Sequence, residues 1–122
     1  MSHIVQIQTQ VTDEVAVQTA CQRLSLPAAT RGTFRLFGQT VTGLGVQFPQ
    51  WKYPVVCNTD DGSLQYDNYL GRWGSPQDLD RFLQRYAVEK TILEARRKGY
   101  SVSEQFLPNG SIKLTVQLGG GQ

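Results

Sequence analysis

Apolar and polar residues alternate with period two at the start of the chain. Val5, Ile7, Thr9 and Val11 share one side, and Gln6, Gln8 and Gln10 the other, over Ile4–Val11. That is a strand wet on one face. The period then lengthens. Val17, Ala20, Cys21 and Leu24 recur at helical spacing behind Thr12, read here as the N-cap, with Asp13 and Glu14 in the first turn and Pro27 as the stop. Three hairpin patterns are interrupted by one long helix. Phe34 and Leu36 alternate up to a Gly38-Gln39 turn and return over Val41–Phe48. Tyr53–Asn58 and Leu64–Asn68 flank Asp60-Asp61-Gly62-Ser63. Val102–Leu107 and Ser111–Leu118 flank Asn109-Gly110, a strong hairpin signal.

Between the second and third hairpins, Ser75–Lys98 predicts the one long helix. Ser75 is placed to cap it, Pro76 suits the first helical position, and Asp78 sits where a capping box places its acid. Leu79, Phe82, Leu83, Tyr86 and Leu93 recur along one stripe, and Gly99 stops it. The order is therefore β-α-β-β-β-β-α-β-β. Hairpins dominate it, so the expected fold is α+β: a mostly antiparallel sheet with two helices packed on one face. Residues 1–118 read as a single globular domain and residues 119–122 as a loose glycine-rich tail. Gly43 and Gly45, inside a strand, predict a bulge or a close approach of backbone.

Composition narrows the class without naming a reaction. The chain has 122 residues, 39% hydrophobic and 18% charged, which suits a folded domain. A net charge of +2 is too small for an electrostatic footprint on nucleic acid, which is therefore disfavoured as a partner. No apolar run reaches the ~18 residues of a membrane helix, and the N-terminus has no signal-peptide pattern, so a cytoplasmic protein is expected. Cys21 and Cys57 fall on apolar positions and read as small buried hydrophobes; two thiols this far apart make no zinc motif. No cofactor is implied.

Candidate chemistry concentrates between Phe48 and Trp73. Six aromatic residues (Phe48, Trp51, Tyr53, Tyr66, Tyr69 and Trp73) are interleaved with Lys52, Asp67, Asn68 and Arg72. Rings on strands read as core, whereas aromatic residues with arginine on loops are the material of binding hot spots. The binding reading selects Trp51, Tyr69, Arg72 and Trp73. A pocket built by these loops would take Asp67, Arg72 and Lys90 as its polar groups. On the long helix, Val88, Ile92 and Ala95 lie roughly opposite the main stripe, a second apolar face suited to self-association or to cover by a loop. Lys90 is placed to reach past Tyr86 to Glu94, one helical turn on. Arg96-Arg97-Lys98 reads as a solvated helix end that favours the dipole. His3, the only histidine, has no acid or nucleophile beside it, and Asp60-Asp61 falls far short of a calcium ligand set, so no metal site is expected. With no convergent catalytic set, an accessory or protein-binding module is the first reading, and a small enzyme or ligand-binding domain the second.

Several local signatures also resemble a known family. The opening Met1-Ser2-His3-Ile4 and the Tyr66-Asp67-Asn68-Tyr69 turn carry the likeness. So do the helix with Arg85-Tyr86-Ala87 that ends at Gly99-Tyr100, and the closing Asn109-Gly110-Ser111-Ile112-Lys113-Leu114. The chain resembles the family of the hypothetical chloroplast reading frame number thirty-five, a domain of unknown function. The resemblance implies no activity. As partners it implies an ATPase of the AAA type or a ferredoxin-like protein, in a subunit role.

Overall fold

A computed structural model describes residues 4–118; His3 and the glycine tail 119–122 lie outside the described residues. The elements follow the expected order: β1 (Val5–Gln8), α1 (Glu14–Arg23), β2 (Thr30–Leu36), β3 (Gln39–Val46), β4 (Val55–Asn58), β5 (Ser63–Tyr66), α2 (Pro76–Arg97), β6 (Ser101–Phe106) and β7 (Ile112–Gln117). A short 3-10 turn at Tyr69–Gly71 precedes α2. The fold is α+β and its strands pair antiparallel. Contacts gather into two compact units that divide between Tyr86 and Ala87, inside α2.

The first unit holds a five-stranded sheet in the order β1-β5-β4-β3-β2. Strands β2 to β5 form successive hairpins, and α1 carries the chain from β1 at one edge to β2 at the other. Ile7, Leu64, Cys57 and Leu44 are direct neighbours across β1, β5, β4 and β3. That apolar row packs with Val17, Ala20 and Cys21 of α1 and with Leu79, Phe82 and Tyr86 of α2. Burying such side chains is worth ~1.5–3 kcal/mol each. A smaller cluster of Leu36, Val41 and Val56, with Phe34 and Tyr53 against it, is separate from this core. Gly43 and Gly45 stand in an unbroken β2–β3 register rather than at a bulge. The close approach is real: a Cβ on Gly43 would meet the Cys57 carbonyl oxygen at 2.6 Å, and one on Gly45 the Phe34 ring.

Helix ends show where local chemistry corrects the sequence reading. Asp13, not Thr12, caps α1: its carboxylate accepts from the Ala16 N–H at 3.2 Å. Thr12 instead donates its own N–H to the Tyr86 hydroxyl at 3.1 Å. Pro27 is not the stop. Ser25 takes a left-handed φ of +58°, and the Leu26 N–H donates back to the Cys21 carbonyl at 2.8 Å, which ends the helix three residues before Pro27. The first hairpin turn is Phe37-Gly38, one residue earlier than expected, because Gly38 with φ +85° occupies the second central position.

The second unit contains the later half of α2 and a hairpin. Gly99, at φ +80°, closes the helix as expected. Tyr100 N–H donates to Ala95 O at 2.9 Å, and Gly99 N–H to Arg96 O at 3.0 Å. Strands β6 and β7 form their own two-stranded ladder rather than extending the larger sheet. Their turn is Pro108-Asn109-Gly110, in which Gly110 has φ +87° and the Asn109 carboxamide accepts from the Ser111 N–H. Along α2 the buried positions change from Leu79, Phe82 and Tyr86 to Val88, Ile92 and Ala95. At ~100° per residue the buried stripe rotates by roughly two-fifths of a turn. Val88, Ile92 and Ala95, expected from sequence as a face for self-association, are each only 6% exposed.

Two outcomes test this packing. The Tyr86 hydroxyl accepts from the Thr12 and Asp13 N–H groups, at 3.1 Å each, and donates to Gln10 O at 3.2 Å. Tyr86→Phe strands those donors and is expected to cost about 1–3 kcal/mol in urea unfolding. Cys57 is a buried thiol, pushed up to about 12 by desolvation and, second, by the neighbouring Cys21. Its raised pKa disfavours the thiolate only in the folded state. Stability from this group is therefore full below about pH 9 and is lost as pH climbs toward 12, at ~1.4 kcal/mol per unit. Urea midpoints between pH 8 and 10.5 are expected to fall accordingly, and less steeply in Cys57→Val.

Candidate functional site

Between β5 and α2 the backbone folds into a tight corner closed by its own hydrogen bonds. The Asp67 carboxylate accepts from the Tyr69 N–H at 3.1 Å. Asn68 O accepts from the Gly71 and Trp73 N–H groups at 3.0 and 2.9 Å, and the Asn68 amide donates to Gly74 O at 3.2 Å. Lys52, from the loop before β4, adds its N–H to Trp73 O at 2.9 Å. Three consecutive residues inside this corner are left-handed: Tyr69 (φ +47°), Leu70 (φ +54°) and Gly71 (φ +95°). Glycine accepts that conformation freely, but each side-chain-bearing residue costs ~1–2 kcal/mol there. Leu70, at the middle of the three, is 86% exposed.

Rings support the corner from one side. Trp73 is half-buried and meets Tyr69 at 4.6 Å between centroids, Phe37 at 5.6 Å and Tyr53 at 5.7 Å. The interplanar angles are 88°, 55° and 76°, so the rings meet edge-on or tilted. Two exposed cations lie over them. Lys52 Nζ is 4.3 Å from the Trp73 centroid and 5.6 Å from that of Tyr53, while the Arg72 guanidinium carbon is 5.1 Å from that of Tyr69.

Of the residues selected from sequence, Tyr69, Arg72 and Trp73 come together at this corner. Trp51 does not share its surface. It is 4% exposed, packs with Phe48 and Tyr66 in the core, and lies so close to Gly74 that any Cβ there would overlap its ring. Asp67 is fully buried, and its Oδ1 closes the turn at Tyr69. Lys90 belongs to the second unit and pairs with Glu94 at 2.8 Å; that hydrogen bond is the main reason the Glu94 carboxyl is held below its ordinary range. Phe37 and Leu70 were not selected from sequence. Phe37 was discoverable, since it precedes the hairpin glycine, but nothing in the residue letters marks Leu70 as left-handed.

A concavity of about 300 Å³ opens elsewhere in the first unit, lined by Leu24, Leu26, Phe48 and Pro49 with the Asp78–Arg81 pair. None of the expected site residues lines it. Among the described residues, no three His, Cys, Asp or Glu side chains gather as metal ligands do, and no helix is long and apolar enough to cross a membrane.

The chain matches no family model and no solved structure. It is similar over 96% of its length to the uncharacterised protein ycf35 of Cyanophora paradoxa, with 27% identity across 135 residues that span 97% of that protein. This likeness agrees with the resemblance to the chloroplast reading frame 35 family expected from the sequence. The ycf35 relative, itself uncharacterised, brings no activity to the corner, so the reading of the site rests on geometry.

The strain at Leu70 has a measurable sign. Leu70→Gly removes an exposed side chain and the left-handed penalty while adding back ~0.5–1 kcal/mol of chain entropy. The variant is expected to unfold at a temperature equal to or up to a few degrees above that of the parent, read by calorimetry.

Proposed function

We propose that this chain is a cytoplasmic accessory module that binds another protein through the Tyr69–Trp73 corner. The observation that carries the reading is Leu70, an aliphatic side chain 86% exposed on strained backbone, in the loop whose Trp73 ring meets those of Phe37, Tyr53 and Tyr69. Scattered exposed apolar residues are ordinary, but strain that keeps one exposed is not needed for folding. A ring cluster on the same loop as an exposed aliphatic residue and an arginine has the composition of an interface hot spot. The family resemblance nominates an AAA-type ATPase or a ferredoxin-like protein as the partner.

Tagged protein recovered from its native host tests this reading. A partner is expected to co-purify with the parent chain, to fall at least tenfold with Leu70→Gly, and to be unchanged with Gln6→Ala on exposed β1. Equal recovery with all three overturns it.

A further inference from the structure

We propose that the corner takes an acidic segment of its partner protein, one in which Asp or Glu side chains flank an aliphatic or aromatic residue. This rests on the docking reading above and adds the chemistry of the occupant. Its basis is the way two cations of the corner are held. Lys52 and Arg72 lie over ring faces, and neither forms an ion pair among the described residues. The one carboxylate within the corner sequence, Asp67, is fully buried with its oxygen on the Tyr69 N–H. Two positive charges thus stand at the corner, one over Trp73 and one over Tyr69, without an ion-pair partner among the described residues.

The way they are held fits carboxylate recognition. A guanidinium stacked on a ring keeps its N–H edge free for a bidentate carboxylate, and stacking limits the rotamer freedom lost on binding. Lys52, over Trp73, supplies a second point charge. Leu70, two residues before Arg72, and the exposed Phe37, whose ring meets that of Trp73, then offer apolar area that an aliphatic or aromatic residue of the partner would cover. Single-stranded nucleic acid also combines negative charge with stacking. It needs open ring faces, whereas here the rings meet at 55–88° and Lys52 and Arg72 already lie over Trp73 and Tyr69. The chain's net charge of +2 points the same way.

Selection of a random twelve-residue peptide library displayed on phage, against the full chain, tests the proposal. Enriched peptides are expected to carry two or more Asp or Glu residues around a Leu, Phe, Tyr or Trp. Their synthetic versions are expected to bind at least tenfold more weakly to a folded Lys52→Glu, Arg72→Glu variant, and to regain affinity for it when their acids are replaced by lysine. Lys52→Gln with Arg72→Gln is expected to give an intermediate loss, and serves if the double reversal does not fold. Peptides that are lost with Leu70→Gly yet show no acidic preference overturn the acidic occupant and leave the docking reading standing. Selection with no corner-dependent peptide overturns both. Binding of fluorescent oligothymidine in place of peptide overturns the acidic segment in favour of nucleic acid.

Discussion

The corner depends on one steric fact: the Trp51 ring occupies the place where a side chain at position 74 would begin. Only glycine lets the backbone pass there. With Gly74 pressed onto a buried indole, the chain between β5 and α2 has little room, and Trp73 is turned to the other side, among Phe37, Tyr53 and Tyr69. One tryptophan therefore belongs to the core, and the other is half-buried at the surface. The Lys52 N–H to Trp73 O bond ties the two segments together and delivers Lys52 to the Trp73 ring.

Magnitudes show why the strained turn persists. Two left-handed side-chain-bearing residues cost ~2–4 kcal/mol together. Three ring pairs around Trp73 return ~0.5–1.5 kcal/mol each, and the hydrogen bonds at Asp67 and Asn68 about 1 kcal/mol each. The offset is adequate without any contribution from Leu70, which touches almost nothing. Support for the turn and exposure of its tip are thus separate properties, and only the second calls for a function.

Much of the fold was legible because the signals were local and repeated. The Ser75–Lys98 reading of α2 missed by one residue at each end, since a Ser-Pro start and a Gly stop act on the backbone directly. Where two local devices compete, the letters do not choose. Thr12 and Asp13 are both good caps; the Tyr86 hydroxyl takes the N–H of each, and it is the Asp13 carboxylate that reaches the Ala16 N–H. Ser25 ended α1 in a conformation that its type rarely adopts. The candidate site divided along the same line: Tyr69, Arg72 and Trp73 lie on one loop and were found together. Phe37, Lys52 and Tyr53 reach Trp73 only through sheet pairing, and Leu70 depends on a backbone angle.

The changing face of α2 explains why the helix looks, in sequence, as if it had a second apolar surface to offer. A helix with apolar residues on two sides looks, from periodicity alone, like one with a spare face. Here the two sides are used in succession: Leu79, Phe82 and Tyr86 are buried in the first unit, and Val88, Ile92 and Ala95 in the second. A stripe that rotates along the helix spreads apolar residues around its circumference, so an average over the whole length mistakes succession for surplus. With those residues buried, exposed apolar surface in the first unit is concentrated at Phe37 and Leu70, apart from Val15 on α1. Of these, only Phe37 and Leu70 stand beside unpaired cations held on rings, which is what a specific contact requires and a stray hydrophobe lacks.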